Sequence, residues 1–96
     1  MSVKITCINK DNGDHYDRHE AITHLGWINE STNATGKSTR DEMVKFLEGG
    51  NSAYTKDNLS NVAYLVVRVS GSGNKYVKTV ADGKETDNLL YLVECK

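Results

Sequence analysis

Three histidines and two cysteines are the residues of this chain whose types could hold a metal: His15, His19, His24, Cys7 and Cys95. Zinc accepts imidazole nitrogen and thiolate sulfur in tetrahedral sites. The spacing gives that chemistry little help. His15 and His19 face together at i,i+4 only if their polar segment is helical, and no Cys-x-x-Cys pair anchors a site. The expectation is surface histidines near a turn and two small, partly buried free thiols, as suits a reducing compartment. Should the first and last strands be neighbours, Cys7 and Cys95 approach each other, which ordinary geometry tests. A Cys/His nucleophilic pair lacks any recognisable oxyanion site or orienting third group. No catalytic residue, enzymatic activity or cofactor is therefore assigned.

Two other groups of residues carry chemical meaning. Gly36-Lys37-Ser38-Thr39 resembles the end of a phosphate-binding loop, but the first glycine of that motif falls on Ser31 and no strong strand precedes it. Ser38 and Thr39 are better read as helix-capping residues. Tyr64 and Arg68, with Tyr76, Lys75 and Lys78 beside them, form a possible face of stacking rings among cations, the arrangement that single-stranded nucleic acid uses. Cross-strand Tyr and Lys/Arg pairs also stabilise ordinary sheet faces. Trp27, beside Gly26, reads as a core anchor ahead of an interface residue.

The elements that must position these residues follow from period and punctuation. Val3 to Ile8 alternates in β-branched residues and makes a first strand. Asp17 to Glu30 carries mixed signals. Asp17 and Glu20 suit a capping box and Gly26 a stop, so a short helical turn over residues 18–25 is expected, then a short strand from Gly26 to Asn29. Ser31 to Lys37 reads as a loop. Thr39 and Glu42 stand in the capping-box relation, Asp41 pairs with Lys45 at i,i+4, and Met43, Phe46 and Leu47 share a face. Gly49-Gly50 ends the run, so a helix is predicted over Arg40 to Glu48. A short strand follows at Ala53 to Lys56. The last third then reads as a β-meander: Val62 to Ser70 with Ala63, Leu65, Val67 and Val69 inward; Lys75 to Val80, ending at the hairpin dipeptide Asp82-Gly83; and the apolar run Leu89 to Val93.

Length and composition bound the rest. Ninety-six residues suit one α+β domain, and a net charge of −1 removes the basic footprint of most nucleic-acid binders. No run reaches the length of a membrane helix and the first residues lack the apolar core of a signal peptide, so a cytoplasmic location is expected, with no membrane partner.

The chain also resembles a family of small bacterial, archaeal and mobile-element proteins known only as a domain of unknown function. The resemblance runs through Ile5-Thr6-Cys7-Ile8, the block from His19 to Gly26, Thr39 to Met43, Gly49-Gly50, Ala53-Tyr54 and Tyr76 to Thr79. It closes on Ala81-Asp82-Gly83, Asp87 to Leu92 and Glu94-Cys95. It implies one compact domain and no activity. Taken together, the residues point to a largely antiparallel sheet of about five strands packed on the helix Arg40 to Glu48. The expected role is a non-enzymatic binding or accessory domain whose outer sheet face or free edge meets a macromolecule, a protein ahead of nucleic acid. A small metal-binding protein is the third reading.

Overall fold

The structure is a computed structural model, and it describes residues 1–11, 21–57, 59, 61–71, 73–81, 83–86 and 88–95. Eight strands and one α-helix follow in the order β1 (Ser2–Lys10), β2 (Ile22–Ile28), β3 (Thr35–Thr39), α1 (Arg40–Glu48), β4 (Ser52–Lys56), β5 (Val62–Val69), β6 (Lys75–Ala81), β7 (Lys84–Thr86) and β8 (Val93–Glu94). A 3₁₀ turn, Asn88–Tyr91, precedes β8. All eight strands join one sheet, with spatial order β3-β2-β1-β4-β5-β6-β7. Strand β8 lies beside β1. Pairing is antiparallel except where β4 and β8 run parallel to β1.

The helix matches the sequence reading because its signals are local. Thr39 Oγ1 accepts from Glu42 N at 3.1 Å, and Glu42 Oε1 accepts from Thr39 N at 2.9 Å, which closes both halves of the capping box. Thr39 is also the last residue of β3, so strand passes into helix with no loop between them. The helix lays Met43 and Val44, with Phe46 and Leu47 at the margin, on Val3, Ile5, Leu25, Leu65 and Val77 of the sheet.

Several expectations are corrected. Among the described residues the sheet has eight strands, not about five. Residues 35–37, read as loop, and Ser38 and Thr39, read as helix-capping residues, form β3 because β2 offers them a full antiparallel edge, from Ile28↔Thr35 to His24↔Thr39, while Thr39 also caps the helix. The helical turn expected over residues 18–25 gives way to strand from Ile22 onward, and its first residues lie outside the described ones. Val69, expected inside, is 61% exposed, since it pairs with Lys75 at the hairpin tip beyond the buried cluster.

The apolar run Leu89 to Val93 is not a single strand. The chain must return from β7 to β1, four strand spacings or about 19 Å away. It crosses the helix-side face with Leu89 fully buried in the core and β8 reduced to two residues. The third strand of the meander is instead β7, joined to β6 by a tight turn in which Ala81 pairs with Lys84 and Gly83 takes a φ of 77°.

Cys7 and Cys95 are corrected too: they form a disulfide, with Cα atoms 5.0 Å apart. Strand β8 beside β1 sets Val93 against Cys7 and Glu94 against Ile8, which carries Cys95 to its partner across 88 positions of sequence. Ile8 and Leu25 are buried under the helix layer, so their neighbours Cys7 and Gly26 face the opposite side. The C-terminal segment therefore holds the sheet from both faces, by Leu89 within the core and by the bridge outside it.

Candidate functional site

The face of the sheet opposite the helix collects most of the candidate residues. The ladder aligns Lys4, Tyr54, Tyr64, Val80 and Glu85 in one row across five strands, β1, β4, β5, β6 and β7. A second row sets Val66 beside Lys78, and a third Arg68 beside Tyr76. Alternation puts all of these on one side, because their neighbours Ala53, Ala63, Leu65, Val77 and Thr79 are buried on the other. At the centre Tyr64 is 54% exposed, and its ring meets that of Tyr54 at 6.1 Å between centroids, tilted by 58°. That spacing lies within the favourable range for tilted aromatic pairs.

Two carboxylates hold the cations of this face. Glu30 lies 3.8 Å from Lys4 Nζ and 3.5 Å from Lys56 Nζ, and it accepts a hydrogen bond from the Tyr54 hydroxyl. That hydrogen bond, helped by the two lysines, keeps the Glu30 carboxyl below its ordinary range. The same bond favours the neutral phenol and pushes Tyr54 up to about 12. Glu85 accepts from Arg68 Nε at 2.7 Å and stands 3.4 Å from Lys78 Nζ. The Arg68 hydrogen bond leads the causes that lower its carboxyl. Four cations thus share two carboxylates around a tyrosine pair.

The remaining candidates are elsewhere. Lys75 points to the helix side, where it pairs with Glu48 at 2.6 Å. Trp27 lies half-buried among Met1, Val3, Met43 and Phe46 on the helix side, and its Nε1 donates to Ser38 Oγ at 3.1 Å. Its indole occupies the space over Gly36, where an added Cβ would stand 2.5 Å from Cζ2. Lys37 and Ser38 belong to β3, and Thr39 caps α1. Of the suggested metal ligands, Cys7 and Cys95 are consumed by their bridge, and His24 Nδ1 meets the Thr23 hydroxyl at 3.0 Å. His15 and His19 lie outside the described residues. Among the described residues no three of His, Cys, Asp and Glu come together as a metal site. No helix among them is long and apolar enough to cross a membrane.

Sequence reasoning missed Glu30, Tyr54, Lys4, Lys56 and Glu85. One signal was present for Glu85: the tight turn at Gly83 fixes its position opposite Val80, diagonal to Lys78. Glu30 follows β2 and has no local signal for its partners on β1 and β4.

A family model for a protein of unknown function, DUF3892, matches residues 4–93, which takes in nearly every strand and the helix. The chain belongs to that family. The match runs from within β1 to the first residue of β8, so the tyrosine face and both of its carboxylates lie within the matched residues. No curated protein and no solved structure matches the chain significantly.

Proposed function

We propose that this chain is a non-enzymatic, cytoplasmic, single-domain binding module, and that it meets a protein partner through the face centred on Tyr54 and Tyr64. The observation that carries this reading is the make-up of that face: an exposed Tyr64 against a half-buried Tyr54, bordered by Val62, Val66 and Val80, inside a rim of charge pairs. Protein interfaces share that layout of aromatic anchors within a polar rim. Nucleic acid is the less favoured partner. The Lys4, Lys56, Arg68 and Lys78 heads are already engaged by Glu30 and Glu85, and the tyrosine rings lean on each other instead of standing free as stacking platforms.

A photo-crosslinking residue placed at Tyr64 in the full chain, expressed in its own cells, tests the reading. A discrete protein adduct is expected from position 64, lost on Tyr54→Ala and absent when the crosslinker replaces Thr35 on the far edge strand. Adducts to nucleic acid, or a gel shift of single-stranded oligonucleotide that weakens with salt and vanishes with Arg68→Ala, would replace the protein partner by nucleic acid.

A further inference from the structure

Besides its bridge, the C-terminal segment is held by three leucines at the core, a two-residue strand pairing and two hydrogen bonds at Cys95. Strand β8 contributes two residue pairs, Cys7↔Val93 and Ile8↔Glu94. Cys95 N donates to Ile8 O at 3.1 Å, and Asn9 Nδ2 donates to Cys95 O at 3.0 Å. Leu89 is buried and Leu90 and Leu92 pack partly buried against the core, whereas Tyr91 and Val93 are 81% and 71% exposed. On its other flank the segment borders a cleft of about 280 Å³, lined by Thr55, Lys56, Asp57, Asn88, Tyr91 and Leu92. The other elements also hold one another without this segment. Strand β1 pairs with β2 from Lys4 to Lys10 and with β4 from Ser2 to Lys4, and Val3, Ile5, Ile22, Leu25, Met43 and Val77 bury themselves among the other elements.

We propose that the Cys7–Cys95 bridge is a redox latch on residues 88–95: its reduction by a dithiol frees this segment from the edge of β1 while the rest of the sheet stays folded. The inference does not use the tyrosine face, but it rests on the proposed cytoplasmic setting. Both cysteines are partly exposed on the outer face, within reach of a reductant. A thiolate of the dithiol attacks one bridge sulfur and forms a mixed disulfide, releasing the other cysteine as thiolate. The second thiol of the reductant then resolves that intermediate. Two electrons and two protons end on Cys7 and Cys95, and the dithiol leaves as its own disulfide. Bridges in reducing compartments are characteristically transient and redox-sensing, and in the proposed cytoplasmic setting this one opens and closes. The opened state exposes Leu89 and the β1 edge at Cys7 and Ile8.

Hydrogen exchange read by mass spectrometry on the intact chain tests the latch, with oxidised protein compared before and after dithiothreitol treatment without denaturant. Amides of residues 88–95 are expected to exchange at least about tenfold faster after reduction, corresponding to a loss of about 1.4 kcal/mol of local protection. Peptides covering 22–28 and 75–81 are expected to stay unchanged, and glutathione disulfide to restore the protection of 88–95. The Cys7→Ser, Cys95→Ser double variant should match the reduced protein. Unchanged exchange at 88–95, resistance of the folded protein to dithiothreitol, or failure to close again would each overturn the latch. Loss of protection throughout the sheet would show a staple of the whole fold instead.

Discussion

Gly26 is the position where one methyl group should separate the bridged protein from the unbridged one. It pairs with Cys7 in the β1–β2 ladder, and an added Cβ would lie 2.3 Å from Cys7 Sγ and 3.0 Å from Cys95 Sγ. Relaxed heavy-atom contacts sit at about 3.5–4.0 Å, so the nearer sulfur would have to yield by more than about 1 Å. It cannot swing aside as a free thiol can, because its other end is bonded to Cys95. Gly26→Ala should therefore cost about 1–3 kcal/mol, the usual range for overpacking a filled site.

The backbone gives no second reason for glycine there. The glycines with positive φ among the described residues are Gly50, Gly73 and Gly83. In a Cys7→Ala, Cys95→Ala background the same substitution should instead stabilise by about 0.5–1 kcal/mol, through the lower entropy of the unfolded chain. The coupling is then about 1.5–4 kcal/mol. The bridge's own contribution, about 4–5 kcal/mol for a loop whose ends are 88 residues apart, cancels within the cycle. Urea unfolding of the four proteins under non-reducing conditions, followed by the fluorescence of the single tryptophan, Trp27, supplies all four stabilities. An equal penalty in both backgrounds, or a neutral Gly26→Ala in the bridged protein, would refute the argument that the sulfurs set the glycine.

Two further outcomes follow from local geometry. Thr39→Ala removes the acceptor of the capping box from a helix of only nine residues and should cost about 1 kcal/mol in the same urea assay, with Thr39→Ser restoring most of it. Tyr54 should ionise late, near pH 12 by ultraviolet titration, and Tyr54→Phe should remove that late step. Its folded-state value lies above the ordinary 10, so the stability it contributes is complete below pH 10 and is lost as pH rises toward 12; a stability flat across that window would contradict the Glu30 hydrogen bond.

What the sequence made legible is what depends on neighbours in the chain. The helix from Arg40 to Glu48 was readable because its cap, its first-turn acids and its Gly49-Gly50 stop lie within a dozen residues. The alternation of β5 placed Ala63 and Leu65 inside for the same reason. Strand β3 was unreadable as a strand because residues 35–37 are those of a loop and Ser38 and Thr39 those of a helix cap, and only the edge of β2 makes them a strand. An apolar run such as Leu89 to Val93 has no period to show that it crosses strands instead of joining them. Gly26 looked like a helix stop and proves to be a seat for two sulfurs, one of them brought from the far end of the chain. The tyrosine face was half legible. Tyr64, Arg68, Tyr76 and Lys78 follow from alternation, while Glu30 reaches the site only through the fold.

The Cys7–Cys95 bond also closes residues 7–95 into a covalent ring. A single proteolytic cut at any connection between residues 8 and 94 leaves its two pieces joined, so the nicked protein keeps its mass on a non-reducing gel and divides into two fragments only when reductant is added. The loop around Asn29 to Ala34, exposed and closed by a hydrogen bond from Asn29 N to Ala34 O, is one place where such a cut would leave both flanking strands attached to the same sheet.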